Sequence, residues 1–322
     1  MTFSLERIEV ADLDPSTAAD LAAIDNAALD GVPLRHHTPE TFLLDCQDRN
    51  GEGPDAGLWL AREGRRLVGY AALTLNRFAN LDGAKILGAV HPTRRRRGIG
   101  RALLAEAEAA TDRPRLRAPA WDGTGGMEAL PHLGYVRGLT HEVRRLSVRQ
   151  AQPDHLVSAA EAASRAYDLE RFAGPCPDGL LADLVPLREA INEAPGLGEF
   201  QSYPPERIRT YEQSLARRRQ TPYTIVARHR ATGEAAGITL LYVHELRPAI
   251  AEQDDTSVLP SHRGHRLGLR LKLAMLDWLR TERPDVDVTD TWNASGNAPM
   301  IAINDALGCR KVAETVRFTK TR

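Results

Sequence analysis

Val90-His91-Pro92-Thr93-Arg94-Arg95-Arg96-Arg97-Gly98-Ile99-Gly100-Arg101-Ala102-Leu103-Leu104 carries more architectural information than any other part of the chain. An apolar run ends at Val90-His91-Pro92, a turn containing Gly98 and Gly100 follows, and Ile99, Leu103 and Leu104 then fall at helical spacing. Glycines let successive backbone N–H groups point into one concavity, and the start of a helix adds partial positive charge. Arg95, Arg96 and Arg97 add more. Such a corner suits a pyrophosphate and needs no metal. Taken once, it could equally be a plain helix start or a basic patch for nucleic acid. A dinucleotide fingerprint needs three glycines spaced G-x-G-x-x-G with an acidic residue about 20 positions on, and a P-loop needs Gly-Lys-Ser/Thr. Neither pattern occurs here.

The stretch recurs. Gly69 and Gly237, Val90 and Val258, and Arg95 and Arg263 are each 168 residues apart. Leu133-Gly134 and Leu307-Gly308 are 174 apart, as a loop insertion would cause. Three landmarks in order at one offset indicate a duplicated unit. Each copy reads alike. Two β-rich runs flank a hairpin signal, Leu58–Arg62 and Leu67–Leu75 in one copy, Tyr223–Arg228 and Ala235–Val243 in the other. A third strand (Lys85–Val90; Asp255–Leu259) leads into the glycine turn and a helix. A short strand (Arg115–Ala118; Val286–Thr291), a second helix and a hairpin-like end (Tyr135–Val148; Arg310–Thr319) complete each copy. The pattern predicts an α/β (α+β) fold of two tandem domains, 1–150 and 151–322, each a mixed, mostly antiparallel sheet flanked by helices. Pro131 is expected to break the second helix of the first copy. Pro175, Pro177, Pro195, Pro204 and Pro205 predict a long irregular stretch in the second copy.

The chain's 322 residues suit two cores, and 42% hydrophobic with 26% charged residues is an ordinary globular balance. A net charge of −1 argues against a nucleic-acid partner. Three scattered cysteines provide no disulfide framework or zinc knuckle. With no signal-like N-terminus and no run of about 18 apolar residues, a cytoplasmic protein without a membrane association is expected, monomer or homodimer.

Arg95-x-x-Gly98-x-Gly100 resembles the R/Q-x-x-G-x-G/A signature of the GNAT superfamily of N-acetyltransferases. Val258-Leu259-Pro260-Ser261-His262-Arg263-Gly264-His265-Arg266-Leu267-Gly268 looks like the same motif with Arg266 at a usual glycine. The arrangement is similar to actinobacterial tandem GNAT proteins of the mycothiol synthase-like type. The resemblance implies acetyl-CoA as acyl donor, a primary amine of a small molecule as acceptor, and a coenzyme pyrophosphate held by this turn; the alternatives are a non-catalytic acyl-CoA-binding or scaffold protein and an acetyltransferase acting on a protein amine. The residues so implicated are Val90, Arg95, Arg96, Arg97, Gly98, Ile99, Gly100 and Arg101 in the first copy. In the second they are Val258, Arg263, Gly264, His265, Arg266, Leu267, Gly268 and Leu269. A residue other than glycine at 266 is expected to keep an ordinary backbone conformation.

Asn293 and Asn297, in the second copy only, are expected to cap the helix or to contact coenzyme. The first copy has no asparagine there, so the second is expected to be the catalyst. Its base candidates are His244, Glu245, Glu252, Asp254 and Asp255, with Asp254 and Asp255 first and Glu245 behind them. Strand alternation would place Glu252, Asp254, Thr256 and Val258 on one face. Many family members carry a tyrosine acid four residues before the Leu-Gly glycine; Leu130 and Asn304 stand there instead. His262 and His265 lack an evident third ligand, so no metal is expected. Trp59, Trp121, Trp278 and Trp292 are expected in the core.

Overall fold

The computed structural model describes residues 3–33, 37–49, 51, 53–151, 153–196, 198 and 200–322. The chain begins with β1 (Ser4–Ile8), α1 (Pro15–Ala28), α2 (Pro39–Gln47), β2 (Gly57–Glu63), β3 (Arg66–Leu75) and β4 (Gly83–Val90). It continues with α3 (Ile99–Ala109), β5 (Arg115–Trp121), α4 (Gly126–His132) and β6 (Val136–Ser147). Then come α5 (Asp154–Ala163), β7 (Tyr167–Ala173), α6 (Leu181–Glu189), α7 (Pro205–Arg217), β8 (Gln220–His229) and β9 (Ala235–His244). The last elements are β10 (Arg247–Val258), α8 (Leu267–Glu282), β11 (Val288–Ala294), α9 (Ala298–Ala306) and β12 (Arg310–Thr321).

Packing divides these elements into two compact units, Met1–Thr140 with Ala313–Arg322, and His141–Val312. The last ten residues therefore belong with the first unit, and 141–150 with the second, which differs from a linear cut at residue 150. In the first unit the strand order is β1-β2-β3-β4-β5-β12. All its neighbours are antiparallel except β4 and β5. In the second the order is β6-β11-β10-β9-β8-β7, antiparallel except β10 with β11. The mixed, mostly antiparallel α/β architecture read from the sequence is thus present.

Each sheet is covered on both faces, and for that reason its central strands read as unbroken apolar runs. Along β2, Trp59 and Ala61 join Leu73, Ile86, Leu103 and Phe318 beneath α3. Leu58 and Leu60 face the other way, against Leu21, Ile24 and Phe42 of α1 and α2. The second unit repeats the plan: α8 packs on Ile225, Leu241 and Ala251, while α6 and α7 cover Val226 and Ile238.

The three sequence landmarks meet in space. Gly69 lies opposite Val90 across β3 and β4, and Gly237 lies opposite Val258 across β9 and β10. A Cβ on Gly69 would come within 3.0 Å of Ala89 O, 3.3 Å of Val90 Cγ2 and 3.2 Å of Leu103 Cδ1. On Gly237 it would meet Ser257 O, Val258 Cγ2 and Leu271 Cδ1 at 3.1, 3.2 and 3.3 Å. Glycine is retained because strand and helix close onto its bare Cα. Gly69→Ala and Gly237→Ala are each expected to lower unfolding free energy by about 1–3 kcal/mol in urea titrations. Unchanged midpoints would refute this account of the repeat.

Several sequence expectations are corrected here. The third strand of the second copy starts at Arg247, not Asp255. The proline-rich stretch holds two helices, α6 with Pro186 inside it and α7 with Pro205 at its first position. Pro131 does not abolish α4; the helix ends one residue beyond it, so only a single bond of the last turn, the one Pro131 cannot donate, is missing. The expected terminal hairpins are single long strands, β6 and β12. Trp59 and Trp278 are core residues, whereas Trp292 is 44% exposed.

Candidate active site

The parallel strands of each unit separate. β4 and β5 pair from Gly83–Lys85 against Arg115–Arg117, and β10 and β11 from Ile250–Gln253 against Val288–Thr291. Past those residues each pair opens into a wedge. His91 N–H bonds Val68 O and Leu259 N–H bonds Ala236 O, both at 2.9 Å and both toward the antiparallel neighbour. Because N–H directions alternate along a strand, the amides of Val90 and Val258 face the wedge. An extended ligand carrying its own amides fits such an edge.

At the mouth of each wedge lies the glycine turn. The first helical bonds run from Ala102 N–H to Gly98 O and from Arg270 N–H to Arg266 O. The amides of 98–101 and 266–269, which include Ile99, Gly100, Arg101, Leu267, Gly268 and Leu269, therefore lack intrahelical partners. Left-handed residues bend both turns. In the first they are Arg96 (φ 62°) and Gly98 (φ 84°), and in the second Gly264 (φ 85°) and Arg266 (φ 52°). Each turn thus spends one glycine and one arginine on the same two positions, in exchanged order. The expectation that Arg266 keeps an ordinary conformation is wrong; it caps α8 in the left-handed region, at a cost of about 1 kcal/mol. Arg95 Nε donates to Val90 O at 3.3 Å, and Arg263 Nε to Val258 O at 3.1 Å. These arginines fix the corner of strand and turn. Arg97 pairs with Glu63 at 3.3 Å and Arg96 with Glu128 at 3.1 Å. His265 is exposed beside Tyr167, while His262 is buried, with Nδ1 3.0 Å from Tyr167 Oη. Among the described residues no group of three or more His, Cys, Asp or Glu is placed to hold a metal.

The two wedges differ at the vertex. β4 pairs with β3 in unbroken register from Leu75↔Ala84 to Gly69↔Val90. β10 instead carries a bulge between Gln253 and Thr256 opposite β9. A bulge breaks alternation, which corrects the expected faces of Asp254 and Asp255. Gln253 and Thr256 both reach Thr239 Oγ1, at 3.2 and 2.8 Å. Asp254 and Asp255 are consecutive, yet both turn toward α6. Arg188 Nη1 lies 3.1 Å from Asp254 Oδ2 and its Nε 3.2 Å from Asp255 Oδ2. Tyr211 Oη donates to Asp254 at 3.4 Å, and Tyr203 lies against the guanidinium at 4.6 Å. Burial pushes the Asp255 carboxyl up to about 6 against the opposing pull of Arg188. Burial alone would lower the Arg188 pKa, but Asp255 and Asp254 outweigh it and hold the guanidinium ionised. A carboxylate that titrates near neutrality at a strand bulge has the character of a general base.

The other candidates lie elsewhere. Glu245 sits in the β9–β10 hairpin, paired with Arg219 at 3.1 Å and more than half exposed, at the opposite end of β10 from Val258. His244 stands beside it, its Nδ1 accepting from Leu246 N–H at 3.0 Å. Glu252 is buried and accepts from Tyr242 Oη at 3.0 Å. Asn297 caps α9 through Met300 N–H at 3.3 Å. Asn293 Oδ1 accepts from Asn304 Nδ2 at 2.8 Å, and Asn304 Oδ1 is buried with no hydrogen-bond partner among the described residues. Sequence reading missed Arg188, Tyr203 and Tyr211, because nothing local in α6, α7 or the stretch between them marks a residue as facing β10.

Two residues between α6 and α7 reach the borders of the second wedge. Glu193 pairs with Arg263 at 2.9 Å, and a Cβ on Gly196 would lie 3.3 Å from Ala294 Cβ at the end of β11.

Residues 54–128 match the acetyltransferase (GNAT) domain family. The chain is 30% identical over 325 residues to a mycothiol acetyltransferase of Salinispora arenicola, covering 96% of this chain and 95% of that one. The chain belongs to the tandem GNAT N-acetyltransferase family. Another mycothiol acetyltransferase, from Streptomyces avermitilis, is 39% identical over 141 residues, 42% of each chain. A tandem GNAT protein from the clavulanic acid biosynthesis pathway superposes with a TM-score of 0.82 at 28% identity, covering 99% of this chain and 98% of that one. A GCN5-related N-acetyltransferase from Sphaerobacter thermophilus shares the fold, with a TM-score of 0.73 at 16% identity. This tandem GNAT protein is therefore an acetyltransferase. Its helices include none long and apolar enough to cross a membrane, among the described residues.

Proposed function

We propose that the second unit transfers an acetyl group from acetyl-CoA to a primary amine of a small molecule, with the Asp254–Asp255 pair as the base. The observation that carries this reading is the bulge that sets two carboxylates at the vertex of the second wedge. On this reading the orphan amides of the turn, residues 266–269, receive the pyrophosphate, and the pantetheine arm runs along β10. An alkyl ammonium has a pKa of about 10 and must lose a proton before its nitrogen attacks the thioester carbonyl. Asp255, directly or through water, takes that proton. The amide of Val258 faces the wedge beside the turn, where it bonds the pantetheine arm. As the tetrahedral intermediate collapses, the C–S bond breaks, and the departing thiolate takes its proton from solvent, since the Asn304 carboxamide is not an acid. The first unit's turn, with the same backbone, holds a second coenzyme without performing chemistry.

Glu193 against the turn and Gly196 against the end of β11 narrow the mouth and favour a small acceptor over a protein chain. Labelled acetyl-CoA offered with a panel of small amines, and separately with peptides bearing free amines, tests the reading. Turnover is expected on at least one small amine. Transfer to peptides alone would overturn the small-molecule acceptor, and no transfer to any amine would overturn the site.

A further inference from the structure

The vertex of the first wedge is charged in the opposite sense from that of the second. In the second unit Tyr242, Glu252, Asp290 and Arg145 stand opposite one another across β9, β10, β11 and β6. Arg145 grips Asp290 with two bonds of 2.7 and 2.8 Å. The corresponding row in the first unit is Thr74, Lys85, Arg117 and Thr319 across β3, β4, β5 and β12. Glu252 and Asp290 are thus replaced by Lys85 and Arg117. Arg317, two residues before Thr319, shares its face of β12. Asp55, the carboxylate among the described residues whose charge reaches Lys85, is already engaged: it accepts from Thr74 Oγ1 at 2.6 Å and from Arg49 at 2.9 and 2.7 Å. Among the described residues Lys85 Nζ makes no hydrogen bond or ion pair. Burial first, and then the positive charge of Arg49, pushes that ammonium down to about 8. The sheet holds this charge where it is unfavourable, and an incoming negative group would reverse the penalty.

We propose that the first wedge takes a ligand ending in a carboxylate, recognised at the vertex by Lys85. An ammonium acceptor is repelled from the same place, so the duplicated cleft is not a second amine site. Resting on the reading that this unit's turn holds coenzyme, an arm laid along β4 ends at Lys85. The carboxylate then belongs either to the acyl group of a dicarboxylic acyl-CoA or to a free dicarboxylate bound beside coenzyme A.

Calorimetric titration of the full chain, with Gly264→Glu present to silence the second turn, separates these sources. Acetyl-CoA, succinyl-CoA, and succinate in the presence of coenzyme A are the three probes. In the first case succinyl-CoA binds about tenfold tighter than acetyl-CoA, the effect of one half-buried charge pair. In the second, succinate binds only when coenzyme A is present. Lys85→Gln or Lys85→Met removes either effect and leaves the acetyl-CoA affinity unchanged. Equal affinity for the two acyl-CoAs together with no succinate binding overturns the proposal, and this comparison needs no Lys85 variant to fold. If no coenzyme form binds, the coenzyme reading of this unit fails instead, and the succinate titration alone then decides the carboxylate site.

Discussion

Asp255→Asn is expected to lower kcat/KM for acetyl transfer by about 10²–10⁴-fold near neutral pH while leaving the chain folded. The asparagine keeps the shape of the side chain and removes its ability to accept a proton. Arg188 keeps Asp254 as a partner at 3.1 Å, so no buried charge is stranded. The unmutated enzyme is expected to gain activity as pH rises through about 6, where the buried Asp255 carboxyl ionises. The sign for stability is opposite. The folded-state pKa of Asp255 is raised, so its stabilising contribution is full below about 4 and is lost as pH rises through about 6. Removing both carboxylates is a different experiment. It leaves the Arg188 guanidinium buried without either of its carboxylate partners and is expected to cost about 3–5 kcal/mol of stability. Single variants followed by pH–rate profiles, with thermal unfolding as the control, separate chemistry from folding. Undiminished turnover in both Asp254→Asn and Asp255→Asn would remove the pair as the base.

The second large effect is expected from Gly264→Glu, set against Gly98→Glu. Both glycines are left-handed, at φ 85° and 84°, and a Cβ on either meets nothing within 4 Å. The side chains are therefore accommodated, at about 1–2 kcal/mol of backbone strain. Each carboxylate is placed at a corner proposed to receive a pyrophosphate, and on that reading it repels the ligand far more than it disturbs the fold. In the second unit this is expected to cut acetyl-CoA binding and turnover at least about 100-fold, equivalent to about 3 kcal/mol. In the first unit it is expected to remove one coenzyme-binding event and leave turnover largely intact. Binding stoichiometry with initial rates measures both. Equal loss of activity in the two folded variants would end the division of labour between the units.

The repeat and the turns were legible because their signals are local: glycines at fixed offsets, an apolar run before them and helical periodicity after them. Gly69 and Gly237 carried information for the same reason, since a bare Cα under a close strand-to-helix contact has no substitute. Asp254 and Asp255, the pair proposed as the base, stood out by position, as acidic residues leading into Val258, but their geometry did not. A bulge is set by how β10 pairs with β9, so a two-residue alternation could not show that Asp254 and Asp255 point the same way. Arg188 was hidden because it reaches β10 from α6, 66 residues away along the chain. Arg266 was misjudged by rule: left-handed backbone favours glycine but does not forbid arginine where the turn is otherwise fixed. The inverted row at Lys85 became visible only once strand register gave it Glu252 as a counterpart.

Strand β12 sets the schedule of folding. From Ala313 on it follows residues 141–312 in the chain, yet its residues complete the first unit against β5. During synthesis, the part of the protein that leaves the ribosome first must wait, with the edge of β5 open, until residues 141–312 have also been made. A gene fragment stopping at residue 150 would carry that open edge permanently and invite pairing with other chains, so neither half is a module to be cloned by cutting in the middle.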